Sequence, residues 1–224
     1  MKVMMSTGLL AAVATAASGS IVGFVEDFNT DAAAWRNFNS ASILEWVSAG
    51  GPDGSAFARS GYNLTAASGG FPPVVIRAHA SYTPPSSGGA YVGDWIAAGV
   101  TGVSFSFRHD LPEAISLTGR FATPLNNPGA SVQTSFTVEP NVWTTVFYDL
   151  TEGSPDIISL GSGTYASIFG NIGNIQLGFN VPPGYAGQNI DVRFDIDNFR
   201  IVPAPGALAL LGVAGLATRR RRLV

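Results

Sequence analysis

Cysteine is absent from the 224 residues, and lysine occurs once, as Lys2. Without thiols there is no disulfide, no thiolate zinc site and no cysteine nucleophile, so stability must come from a core or a metal. Histidine is nearly as scarce, with His79 and His109 alone. Adjacent residues on a strand face opposite ways, so His109 and Asp110 are not expected to pair as base and orienter. There is no Gly-x-Ser-x-Gly elbow, and Gly161-Ser162-Gly163 lacks the lysine of a phosphate loop. Charge is sparse and uneven. Between residues 18 and 201 stand fifteen acidic residues and seven arginines, a net of −8. That balance gives phosphates no basic patch and excludes nucleic acid as an expected partner. It also sets the body against an anionic lipid surface.

What is present is concentrated first at the two ends. Lys2, the apolar run Leu9 to Ala14 and the small-x-small pattern Ala14-Thr15-Ala16 form a signal peptide over residues 1–17, cut after Ala16 or Ala17. At the other end, Val202-Pro203-Ala204-Pro205 leads into an uncharged stretch from Gly206 to Thr218, then Arg219, Arg220, Arg221 and Arg222. A membrane span needs about 20 apolar residues, so this stretch is short for one. The arginines place its end on the cytoplasmic side and the body outside.

This three-part terminus resembles the PEP-CTERM sorting signal of Gram-negative bacteria, with Ala204 where the named motif carries glutamate. The resemblance implies export and recognition by an exosortase-type membrane protease. It also implies transient anchoring in the inner membrane by a short transmembrane helix, then delivery to the cell surface or the exopolysaccharide matrix. It covers residues 202–224 and says nothing about the body.

The body, residues 18–201, is long enough for one domain with its own core. Glycine and proline punctuate short runs rich in Val, Ile, Phe, Tyr, Trp and Thr. Strands are expected over residues 21–28, 43–48, 74–82, 102–108, 131–138, 142–150, 175–180 and 190–201, with a helical turn over 164–169. Val103, Phe105 and Phe107 alternate with Ser104, Ser106 and Arg108. Period two with one polar face marks a half-buried antiparallel strand. The expected fold is all-β, an antiparallel two-sheet sandwich or jelly roll, flanked by the signal helix and the short C-terminal helix. The segments Gly88 to Trp95 and Phe194 to Ile201 resemble pieces of laminin-B-type and galactose-binding-like sandwiches, whose last strand often carries an Asp-Asn pair.

The closing strand breaks its own rhythm. Ile190, Val192, Phe194 and Ile196 are even-numbered, but Phe199 and Ile201 are odd. A one-residue slip flips every side chain unless a bulge absorbs it, so a β-bulge is expected at Asp197-Asn198. Two readings of that bulge stand. In one, Asp197 and Asn198 are solvated. In the other, a structural calcium ion ties first and last strands through Glu26, Asp27, Asp195 and Asp197, because calcium takes six to eight oxygens. Glu26 and Asp27 face opposite ways on a strand, so both ligate only if the chain bends.

The function expected from these features is binding or structural and not enzymatic: an exported module, with polysaccharide as a candidate ligand. Trp95 and Tyr185 are the ligand contacts expected by residue type, since flat rings stack on sugar faces. Two alternatives remain open. One is a secreted polysaccharide-active enzyme on a jelly-roll scaffold, although the nearest match to a catalytic carboxylate pair is Asp195-Ile196-Asp197 and no glutamate follows Glu152. The other is an inert matrix or coat protein.

Overall fold

The computed structural model describes residues 21–67 and 71–205. The expected signal peptide, the Gly206–Thr218 stretch and Arg219 to Arg222 lie outside the described residues. Among the described residues, no helix is long and apolar enough to cross a membrane.

The chain forms an all-β sandwich of two antiparallel sheets. Its strands are β1 (Val25–Glu26), β2 (Glu45–Val47), β3 (Phe57–Asn63), β4 (Val74–His79), β5 (Val100–His109), β6 (Ile115–Ala122), β7 (Gly129–Val138), β8 (Thr144–Asp149), β9 (Ile157–Ser159), β10 (Asn174–Phe179) and β11 (Asp191–Pro203). Among the described residues one short α-helix, α1 (Tyr165–Phe169), opens on a capping box between Thr164 and Ser167. Sheet A runs β2-β3-β11-β5-β8, with β1 pairing the far end of β11; sheet B runs β4-β10-β6-β7-β9.

Alternation decides which residues meet between the sheets. Val103, Phe105 and Phe107 of β5, Ile115, Leu117 and Phe121 of β6, and Val192, Phe194 and Ile196 of β11 are all buried. Aromatic pairs cross the interior: Phe179 of sheet B meets Phe194 of sheet A at 4.8 Å, and Phe121 meets Tyr148 at 6.3 Å. Such pairs prefer offset or edge-on arrangements and add specific geometry to bulk burial.

The expected bulge is there. Asp197 pairs with Ser106 and Arg200 with Ser104, so Asn198 and Phe199 together face Phe105. Asn198 takes a left-handed backbone, φ 53°. Phe199 thereby enters the core on the same side as Phe194 and Ile196. The strand then continues through Val202 and Pro203, which pair with Gly102 and Val100. Val202 and Pro203, read from sequence as the start of the terminal segment, thus belong to the last strand.

Candidate functional site

The sheets differ in charge. The strands of sheet A carry Glu26, Glu45, Asp149, Asp191, Asp195 and Asp197, whereas the five strands of sheet B carry no acidic residue. The outer faces differ accordingly.

On sheet A, Asp195 stands opposite Arg59 of β3 and Arg108 of β5. Its Oδ1 accepts from Arg59 Nε at 2.7 Å, and its Oδ2 accepts from Arg108 Nε at 2.9 Å and from an Arg108 terminal nitrogen at 2.7 Å. Both guanidinium groups lie 5.2 Å from the ring centre of Phe57, and that of Arg108 lies 4.5 Å from Trp143. Phe57 and Trp143 meet edge to face at 5.4 Å, while Trp143 donates to the Gly50 carbonyl. This cluster is satisfied internally. A cleft of about 230 Å³ beside it is lined by Arg59, Arg108, His109 and Asn141, with Asp195 and Asp110 supplying the opposite charge.

The four carboxylates expected to share calcium do not gather. Asp195 is held by its two arginines. Glu26 accepts from Ser87 Oγ and the Phe28 amide, while Asp197 accepts from Ser55 Oγ and the Asn198 amide. Burial pushes the carboxyls of both Glu26 and Asp197 up from the ordinary range, and Asp27 repels both. Among the described residues, no three His, Asp or Glu side chains form a group that could hold a metal ion.

Trp95, expected as a ligand contact, is a core residue. It is 1% exposed, donates to the Tyr91 carbonyl and packs on Phe121, so no external ligand reaches its ring. Its burial follows from the loop before β5, which folds inward and not over the surface. Tyr185 is half-buried and packs against the core from the 181–187 loop.

On sheet B the outward side chains build a groove instead. Register aligns Arg77 of β4, Gln176 of β10, Arg120 of β6, Ser131 of β7 and Ser159 of β9 in one row. Thr118 and Gln133 pair in the neighbouring row. Above these strands lies a cleft of about 280 Å³. Thr118, Arg120, Ser131, Gln133 and Gln176 line it, between Phe71-Pro72 on one side and Ile158 on the other. Phe71 is 83% exposed and Ile158 60%. A polar floor between apolar walls can take a ligand with hydroxyls on its edges and carbon on its faces.

The groove is built, not incidental. Asn126, in a left-handed conformation, places its Oδ1 over the sheet, where it accepts from Asn174 Nδ2 at 3.0 Å and Gln176 Nε2 at 2.8 Å. Arg120 donates to the Asn126 carbonyl, which fixes the guanidinium beside the floor. Gly178 brings the other wall in: an added Cβ there would run into the Pro73 carbonyl. A single glycine thus seats the Phe71-Pro72-Pro73 segment against the sheet. His79 lies at the β4 edge, where its Nδ1 accepts from the Ser81 amide and sits 2.8 Å from Ser81 Oγ. Burial and the neighbouring Arg77 push its pKa down.

No protein-family model matches the chain, and no curated protein matches it. Solved structures similar in fold do exist. The family 11 module of the cellulosomal cellulase Lic26A-Cel5E of Clostridium thermocellum is 14% identical, covers 81% of this chain and 95% of its own, and has a TM-score of 0.46. A family 11 module from the same organism, in complex with a β-1,3-1,4-mixed-linked tetrasaccharide, is 16% identical over 82% of this chain and 97% of its own, TM-score 0.46. Both are carbohydrate-binding modules. An exo-β-agarase is 12% identical over 82% of this chain and 25% of its own, TM-score 0.47. What the groove of this chain can hold is decided by its own residues.

Proposed function

We propose that the protein is a non-enzymatic glycan-binding module that works outside the cytoplasm, with its ligand lying across β10, β6 and β7. The observation that carries this is the groove itself, a row of buried and half-buried amide, hydroxyl and guanidinium groups from three strands beside the exposed ring of Phe71. A sugar ring offers hydroxyls to the floor and a carbon face to the phenyl ring. Rigid strands hold those groups before the ligand arrives, which lowers the entropy lost on binding.

The enzyme alternative needs two carboxylates flanking the scissile bond. None stands on any strand beneath this groove. Binding without turnover is therefore the better-supported use of this face. A carbohydrate microarray probed with the purified protein tests it, together with reducing-sugar release on every glycan retained. Retention without release is expected; release would favour the enzyme, and retention of nothing would leave an inert matrix or coat protein.

Phe71→Ala is expected to weaken glycan binding by about tenfold, the scale of one lost aromatic platform. Because Phe71 is mostly solvated, its melting temperature should stay within about 2 °C of the parent, the range of a neutral surface change. Titration calorimetry beside a melting curve checks both. Equal affinity would remove Phe71 from the site.

The proposed location rests on the two termini: an N-terminal signal peptide and a PEP-CTERM-like segment of Val202 to Pro205, apolar stretch and arginines, read by an exosortase-type protease at the inner membrane. The exported protein is then expected to begin at Ala17 or Ser18. Intact mass of the secreted material decides this; a start at Met1 or Lys2 would remove the signal peptide from the proposal.

A further inference from the structure

Fifteen acidic residues are spread over the body, yet none stands on the five strands of sheet B. On the same face three arginines share one line. Arg36 bridges Arg77, which pairs with Gln176, which pairs with Arg120. Directly paired residues of antiparallel strands point to the same side. Adjacent strands lie ~4.8 Å apart, so the line from Arg36 to Arg120 spans roughly 15 Å.

None of the three has an ion pair; among the described residues, ion pairs join only Asp195 to Arg59 and Arg108. Their protein partners are neutral. Arg36 donates to the Ser40 carbonyl and lies 4.3 Å from the centre of the Tyr82 ring. Arg77 donates through Nε to the Phe38 carbonyl, and Arg120 donates to the Asn126 and Gly129 carbonyls. Carbonyls and a ring fix where the guanidinium groups sit without cancelling their charge. All three are half-buried. Burial pushes the pKa of Arg77 down, the mark of a cation withdrawn from water without a compensating anion.

A held, half-desolvated guanidinium is suited to an oxyanion, because its planar fork meets two carboxylate or sulfate oxygens at a time. A body of net charge −8 repels polyanions in general, so attraction at this line would be local and selective.

We infer that the ligand of the sheet B groove is an anionic polysaccharide, one whose carboxylate or sulfate groups are received by Arg36, Arg77 and Arg120. This rests on the glycan-binding reading above and narrows it. The line is long enough to meet a chain and not a single small anion.

The test is affinity electrophoresis of the full chain in gels containing polygalacturonate, dextran sulfate or a neutral mixed-linkage β-glucan, with single-stranded DNA as a fourth probe. Retardation by polygalacturonate, dextran sulfate or both is expected, at least about tenfold stronger than by the neutral glucan. Raising salt from ~50 to ~500 mM should weaken it by about tenfold or more, since exposed ionic contacts are screened. Arg120→Gln and Arg77→Gln should each weaken binding by about tenfold, the loss of one charge-assisted fork. Arg193→Gln, an exposed change on sheet A, should leave it unaltered. The salt series on the parent protein needs no variant, so a misfolded Arg77→Gln does not remove the test.

Neutral glucan bound as tightly as the polyanions, with no effect of salt or of Arg120→Gln, overturns the anionic inference and leaves glycan binding standing. Retardation by no polysaccharide overturns both. Single-stranded DNA bound as tightly as the polyanions, with the same dependence on Arg120, overturns the assignment to a polysaccharide.

Discussion

Trp35→Ala is expected to cost about 4 kcal/mol, which falls in the usual range for emptying a buried tryptophan site. Trp35 is fully buried. Its ring meets Phe28 edge-on at 5.5 Å and Phe199 at 5.2 Å, so it touches a residue just past the first strand and a residue of the bulge in the last. Its Nε1 donates to Ser87 Oγ, which in turn donates to Glu26. Truncation removes the ring contacts and leaves Ser87 without its donor, so a polar penalty adds to the cavity. A domain of this size loses roughly 2–4 °C of melting temperature per kcal/mol, giving an expected drop of about 8–16 °C. Trp35→Phe keeps most of the ring contact and should fall well short of that. Thermal melts of the two variants check it; equal losses would mean that the indole hydrogen bond, and not the packing, is what Trp35 contributes.

Asp195→Ala is the second large effect, expected at about 3–5 kcal/mol, the cost of removing one member of a buried charge cluster. The carboxylate has 4% exposure against 22% and 23% for the two arginine side chains. Without it, Arg59 and Arg108 face each other across β11 over the Phe57 and Trp143 rings. The sign of a wider replacement is different. Exchanging Arg59, Asp195 and Arg108 together for methionine, leucine and methionine removes the attraction and the desolvation cost at once. Such exchanges are often neutral or stabilising, so the triple variant is expected to melt above Asp195→Ala. Urea denaturation of the two proteins gives the comparison, and a triple variant less stable than the single one would show that the ion cluster is a net contributor.

The frame of the fold was legible where sequence is periodic. Phe105 and its neighbours alternate, and β5 forms as expected. The phase slip between Ile196 and Phe199 announced the bulge, because a buried face leaves no other way to keep both residues inside. Three strands were not legible. In β6, Gly119 interrupts an inward series of Ile115, Leu117 and Phe121; the space a side chain would need is filled by Val132 and Tyr148. In β3, a buried serine faces in while Phe57 faces out under Trp143, so alternation reads backwards. The three residues of β9 are too few to show a period.

The site was less legible than the fold. Trp95 was singled out by residue type, and residue type cannot say which way a loop folds. The groove is made by pairing Arg77, Gln176, Arg120 and Ser131 across distances of up to about a hundred residues, and register over such spans is not written locally. One signal was available. No acidic residue occurs between Asp53 and Asp94, between Glu113 and Glu139, or between Asp156 and Asp191. Those three windows contain all five strands of sheet B.

The place of β11 has a consequence for how the protein is made. The last strand of the body lies at the centre of sheet A, pairing β3 and β1 along one edge and β5 along the other. Residues near Val25 therefore wait for residues near Arg200 before they can pair. Closing such distant contacts is slow, and folding cannot finish vectorially as the chain emerges. Until the residues near Arg200 arrive, sheet A has a vacant central slot and an uncovered apolar face. Completion comes only when the stretch through Pro203 is available, so if the protein is exported as proposed, folding finishes after nearly the whole body has been delivered.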